Sequence, residues 1–203
     1  MPHTYKKLPV NVPAIFETIA DKTFANVMPE INEATGGDMT GCFIPGSITH
    51  IVTRLQEMSA DPTVTDKRFP LIGFVHDFKT SYRQNNPIPE ITVRLFIANL
   101  TAPDRRTEDR MTVNFLPILY PLFSELEAQI MTSNFFMKDY GNQLEMDVYD
   151  RMHWGREGIY GPERYELNEF IDGMEILNLK LRLNIPNCTS AGLSSSNQQT
   201  IIY

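Results

Sequence analysis

From Ile176 the chain alternates without a break. Leu177, Leu179, Leu181, Leu183 and Ile185 fall on one side, Asn178, Lys180, Arg182 and Asn184 on the other, until Pro186 ends the pattern. A period of two is the side-chain period of a strand with one face in a core. A lone strand cannot satisfy its own N–H and C=O groups, so this stretch requires a sheet with an apolar layer on it.

Two more segments supply partners. Ile91, Val93, Leu95 and Ile97 alternate with Thr92, Arg94, Phe96 and Ala98. Phe69–Val75 is nearly all apolar and reads as a buried strand, with Pro70 placing it at a strand start or an edge. The economical pairing joins these two, with the polar, proline-bearing stretch Lys79–Glu90 as the loop between them. Leu144, Met146 and Val148 alternate and are a candidate short strand.

Three stripes have helical spacing. Ile15, Phe16, Ile19, Ala20, Phe24, Val27 and Met28 share one face, with Asn11 as cap, Pro13 in the first turn and Pro29 as the expected end. Ile48, Ile51, Val52, Leu55 and Met58 follow the cap residue Ser47, and Asp61-Pro62 closes that helix. Leu122, Phe123, Leu126, Ile130 and Met131 form a third stripe, which Ile118 and Leu119 extend upstream. Pro117 and Pro121 cannot both sit in one first turn, so this helix starts near Pro121 or kinks there. Thr101–Arg110 reads as a charged loop.

The expected fold is a single α+β domain over residues 1–186. Its sheet is mostly antiparallel or mixed, with about four to five strands, packed with two to three amphipathic helices. Residues 187–203 form a polar arm rich in Ser, Asn and Gln, ending on the apolar Ile201-Ile202-Tyr203, which orders against a neighbour.

Composition excludes some partners. The 25 Asp and Glu outnumber the 18 Lys and Arg, for a net charge of −7. A DNA-binding groove needs a basic stripe and a lipid anchor a polybasic patch, and neither is present. No apolar run is long enough to cross a bilayer. No apolar stretch follows Lys6-Lys7, so no secretory signal is expected, and the chain reads as soluble and made in the cytoplasm. Cys42 and Cys188 give neither a disulfide framework nor a zinc spacing and read as free thiols.

Catalytic signals are sparse. His3, His50, His76 and His153 stand in no metal-ligand spacing. His76-Asp77 at a strand end is the best local acid–base or metal pair, set against a simple strand-end histidine. There is no nucleophile elbow, P-loop or dinucleotide fingerprint. Glu125 and Glu127 diverge on a helix, and Asp147/Asp150 is a second carboxylate pair. Pro103-Asp104 lacks the following Glu-x-Lys that a nuclease would need. The chain is expected not to be an enzyme and to hold no cofactor or metal. Arg105, Arg106, Glu108 and Asp109 read as a solvated or intersubunit salt-bridge loop. Trp154 and Tyr160, in an aromatic segment with His153, Tyr149 and Tyr165, read as interface anchors or as a satellite cluster.

Three stretches together carry a resemblance: Phe69–Phe78, Thr107–Leu126, and the region from Phe170 to Leu183. In order and spacing, over roughly residues 12–185, the chain resembles tail-completion or tail-terminator (neck) proteins of tailed bacteriophages. The Trp154 segment and the arm lie outside it. The resemblance implies a structural virion part: a homo-oligomeric ring, usually six-fold, that caps the tail tube and joins it to the head connector at the head–tail junction. DNA passes through such a ring without specific binding, and an acidic lumen lets it slide. The implied partners are further copies of the chain, a tail tube protein and head connector or adaptor proteins, with no membrane. The subunit contacts are then expected at Arg105, Arg106, Glu108, Asp109, Trp154, Tyr160, Ile201 and Tyr203. The alternatives are a head-completion adaptor on the portal, or a small-ligand-binding protein or enzyme using His76 and Asp77.

Overall fold

The computed structural model describes residues 10–83, 86–138, 144–152 and 170–184. Its elements run α1 (Val12–Thr35), β1 (Cys42–Gly46), α2 (Ile48–Ala60), β2 (Leu71–Arg83), β3 (Asn86–Leu100), α3 (Thr107–Arg110), a π-helical segment (Met111–Leu119), α4 (Tyr120–Thr132), β4 (Glu145–Arg151) and β5 (Ile171–Arg182). The five strands form one mixed sheet in the order β1-β2-β3-β5-β4. The α+β expectation is met in class and in strand number.

The caps are those the sequence indicates. Asn11 accepts from the Ala14 N–H at 3.3 Å and Ser47 from the His50 N–H at 3.2 Å, each satisfying a donor with no partner inside the helix. Pro29 does not end α1. The helix continues to Thr35 and stops where Gly36 turns left-handed at φ 67°. Pro29 and Ala25 are both exposed, so the missing bond lies on the solvent side of the helix.

Alternation along the strands divides the core in two. Ile72, Phe74, Ile91, Val93, Leu95 and Ile97 face α1, the π segment and α4. Leu71, Val75, Phe96 and Ala98 face α2, whose Ile51, Val52 and Leu55 cover them. Both faces of β2 and β3 are therefore buried at the β1 end, which explains their nearly continuous apolar runs. Gly73 pairs with Phe96 across the ladder, and a Cβ on it would stand 2.1 Å from that ring. Toward β4 the α2 side changes character. Glu175 takes Arg94 at 2.9 Å and Arg151 at 3.2 Å, and Glu145 pairs with Lys180.

The structure adds a strand and corrects further sequence readings. Cys42–Gly46, which has no alternation of its own, is a strand paired in parallel with Leu71–Val75. Within Lys79–Glu90, residues 79–83 and 86–90 are strand rather than loop. The hairpin ladder continues through Lys79↔Thr92, Thr80↔Ile91, Ser81↔Glu90 and Arg83↔Asn86, because backbone pairing does not depend on apolar side chains. Helix starts at Thr107, so Glu108, Asp109 and Arg110 are helical, the two acids in the first turn where the helix dipole favours them. The run then continues to Thr132, with Pro117 inside a π-helical stretch and Pro121 in the first turn of α4. The wider π turn relieves the clash that a proline makes in an α-helix.

Another correction concerns β5. Asn178 has φ 56°, and two residues, Leu177 and Asn178, stand opposite Arg94 alone, since Val93 pairs with Leu179 and Leu95 with Ile176. This bulge reverses the parity of the strand. Met174 and Ile176 before it, and Leu179, Leu181 and Leu183 after it, all face the main core. Leu177 falls outside both clusters and is half-buried, contrary to the unbroken alternation.

Candidate functional site

The segment 101–106 joins β3 to α3, and backbone and buried side chains fix both its ends. The Thr101 N–H donates to the Phe170 carbonyl at 2.8 Å, and the Arg110 N–H to the Arg106 carbonyl at 3.0 Å. Arg110 is buried beneath it. Its Nε donates to the Arg105 carbonyl at 3.0 Å and its Nη1 to Asp172 Oδ1 at 2.8 Å. Asn114 Nδ2 donates to Asp172 Oδ2 at 3.0 Å, and Asn99 Nδ2 to Asn114 Oδ1 at 2.8 Å. The Arg110 and Asp172 side chains are 2% and 0% exposed. A buried charge pair is tolerated only when its other donors and acceptors find partners, and here Asn114, itself held by Asn99, bonds Asp172 while the Arg105 carbonyl takes a proton of Arg110.

The result is a loop with a rigid base. Above that base Arg106, Glu108 and Asp109 are exposed and Arg105 is half-buried. None of the four forms an ion pair among the described residues. Large apolar side chains stand exposed beside them: Leu100 at the end of β3, and Val113 and Leu116 on the π segment. Asn114 Nδ2 lies 3.4 Å from the Leu100 carbonyl, which brings the helix against the strand end there. Fixed backbone, unpaired charge of both signs and exposed aliphatic groups are the makings of a contact surface rather than of a reaction centre.

The other candidates do not converge. His76 and Asp77 are not at a strand end. They lie within β2, in a bulge where His76, Asp77 and Phe78 together oppose Val93. Both are exposed. His76 stacks on Phe78 with centroids 5.3 Å apart, and no hydrogen-bond or ion-pair partner of either appears among the described residues. The carboxylate pairs are divided between different partners. Asp147 accepts from Asn178 and Asp150 from the Tyr120 hydroxyl, each at 2.7 Å. Glu125 joins α4 to α1 by accepting from Asn26 at 2.7 Å. Burial pushes the Cys42 thiol up, with Arg54 opposing, so it is held protonated rather than activated. No group of three His, Cys, Asp or Glu fit to hold a metal occurs among the described residues. An open groove of about 490 Å³ runs between α1 and residues 39–43, lined by Phe24, Met28, Asn32, Met39 and Phe43.

Trp154, Tyr160, Ile201 and Tyr203 lie outside the described residues, as do His3, His153, Tyr165 and Cys188. The Arg110–Asp172 pair does not follow from hydrophobic periodicity. Its signal was present: Arg110 and Asn114 stand one turn apart at the head of an apolar helix, and Asp172 interrupts an apolar strand. Compared with protein-family models and with curated proteins, the sequence matches none.

Proposed function

We propose that this chain is an assembly subunit of a tailed phage. It forms a homo-oligomeric ring at the head–tail junction, terminates the tail tube and joins it to the head connector, with DNA passing through the lumen. The observation that carries this reading is the segment 101–109, where Arg105, Arg106, Glu108 and Asp109 have no ion-pair partner among the described residues and stand on a backbone pinned by a buried ion pair. Charges held in fixed positions set register and partner choice in an interface more than they add affinity. The order and spacing of Phe69–Phe78, Thr107–Leu126 and Phe170–Leu183, which resemble neck proteins, support the same class.

The test is Arg105→Glu with Arg106→Glu, read by light scattering across a concentration series and by incorporation into particles. The double variant is expected to keep the parent melting curve and to lose the oligomer. An unchanged ring, or normal particles, would remove this loop from the interface. A parent protein that stays monomeric and never associates with tail tubes or virions would remove the reading altogether.

A further inference from the structure

Among the described residues, each end of the sheet leaves backbone without a strand partner. At one end β1 covers only the first five residues of β2, its last pair being Gly46↔Val75. The chain then turns into α2 at Ile48. The following residues of β2, 76–83, pair with β3 on one side and with no strand on the other among the described residues. At the opposite end β4 pairs, among the described residues, with β5 only, and six of its seven residues are exposed, Val148 and Tyr149 among them. Unpaired N–H and C=O groups along a strand are a template for another strand.

The two edges match in length and oppose in charge. β4 spans seven residues with Glu145, Asp147 and Asp150 against Arg151 alone. The free stretch 76–83 is one residue longer, with Lys79 and Arg83 against Asp77. Two β4 edges set together would join strands that each carry three carboxylates and a single arginine, so like net charge meets like. The two different edges do not meet that penalty. Because they lie at opposite ends of one sheet, joining them uses different patches on the two copies, and such a contact repeats head to tail until rotation closes it into a ring.

We propose that β4 of one copy adds to the outer edge of β2, residues 76–83, of the next copy, so that the sheet runs on from subunit to subunit. This rests on the homo-oligomeric reading above and specifies its contact. The bulge at His76–Phe78 leaves the regular ladder, Lys79 to Ser81, as the centre of the added pairing.

Cross-linking tests it. In a background with Cys42→Ser and Cys188→Ser, one preparation carries Val148→Cys or Tyr149→Cys and a second carries Lys79→Cys or Thr80→Cys. Neighbouring positions on each strand sample both sides of the pleat. The preparations are mixed and oxidised, and the products are sized without reductant. The mixed dimer is expected as the dominant cross-linked band in at least one combination. In the unmodified protein, amide exchange at 79–83 and at 145–151 is expected to slow together as concentration rises. Dominant β4–β4 dimers would overturn the proposal in favour of a two-fold contact. Oligomers with neither the mixed cross-link nor the joint protection would overturn it while leaving the ring reading intact. A monomer at every concentration would overturn it, and would overturn the ring reading as well if the protein also fails to associate with tail tubes.

Discussion

Replacing Asp172 by Asn keeps the volume of a fully buried side chain and removes its charge. Arg110 Nη1 at 2.8 Å and Asn114 Nδ2 at 3.0 Å are among the donors that reach that carboxylate. In the variant one acceptor oxygen becomes an NH₂ group facing a donor, and the guanidinium stays buried without its counter-charge. Removing one partner of a buried pair costs about 3–5 kcal/mol, against a total of roughly 5–15 kcal/mol for a domain. For a chain of this length that lowers Tm by about 6–20 °C. Arg110→Met with Asp172→Leu removes both charges together. Asn114 then retains Asn99 and the distant Leu100 carbonyl, and Arg105 loses the donor to its carbonyl. Those unmet groups cost about 1–3 kcal/mol each, partly offset by apolar packing. The double variant is therefore expected to be more stable than Asp172→Asn alone. Urea unfolding of the four members of the Arg110→Met/Asp172→Leu cycle, with Asp172→Asn measured alongside, reads this as a coupling energy. A loss under about 1 kcal/mol for Asp172→Asn, or a double variant as destabilised as the two singles added, would refute the claim that this pair is a satisfied buried charge.

Three further outcomes follow from particular contacts. Gly73→Ala places a methyl group against the Phe96 ring and is expected to cost about 1–3 kcal/mol, and Phe96→Leu in the same chain should recover part of it; a Tm equal to the parent's would show that the ring moves freely. Ile176→Asp and Leu181→Asp bury a charge in the main core and should abolish the cooperative melting transition, whereas the neighbouring Leu177→Asp should leave it within a few degrees; equal damage at 176 and 177 would argue against the bulge. Tyr120 is pushed up to about 12, first by its hydrogen bond to Asp150, then by burial and the carboxylate's charge. The folded chain thus holds this proton where the unfolded chain releases it, so the stabilisation is complete below pH 10 and fades as pH rises toward 12. Tyr120→Phe should flatten that alkaline decline in unfolding free energy, and an unchanged slope would show that the hydrogen bond does not persist in solution.

Much of the architecture was legible because its signals are local. The stripes beginning at Ile15 and Ile48 belong to helices whose caps, Asn11 and Ser47, lie beside them in the chain. The alternation from Ile91 to Ile97 places those side chains on the core face where the structure has them. The charged loop was legible as charge, and its division into an irregular segment and a first helical turn was not. Only the one-turn spacing to Asn114 set Arg110 apart from Arg105 and Arg106, and the partner that buries it, Asp172, is remote in sequence.

Periodicity of 3.6 or 2 determined which elements exist and which way most of their faces point, because backbone geometry repeats from one residue to the next. Tertiary pairing decided the rest. It made a strand of Cys42–Gly46, whose partner lies beyond a helix, and it carried the hairpin ladder through polar residues. It also reversed the parity of β5, since a bulge is visible only once two residues are counted against one on the neighbouring strand. Arg110 is buried because Asp172, distant in sequence, arrives beneath it. The burial of a charge is a property of the pair and its surroundings, and no single segment of chain contains both.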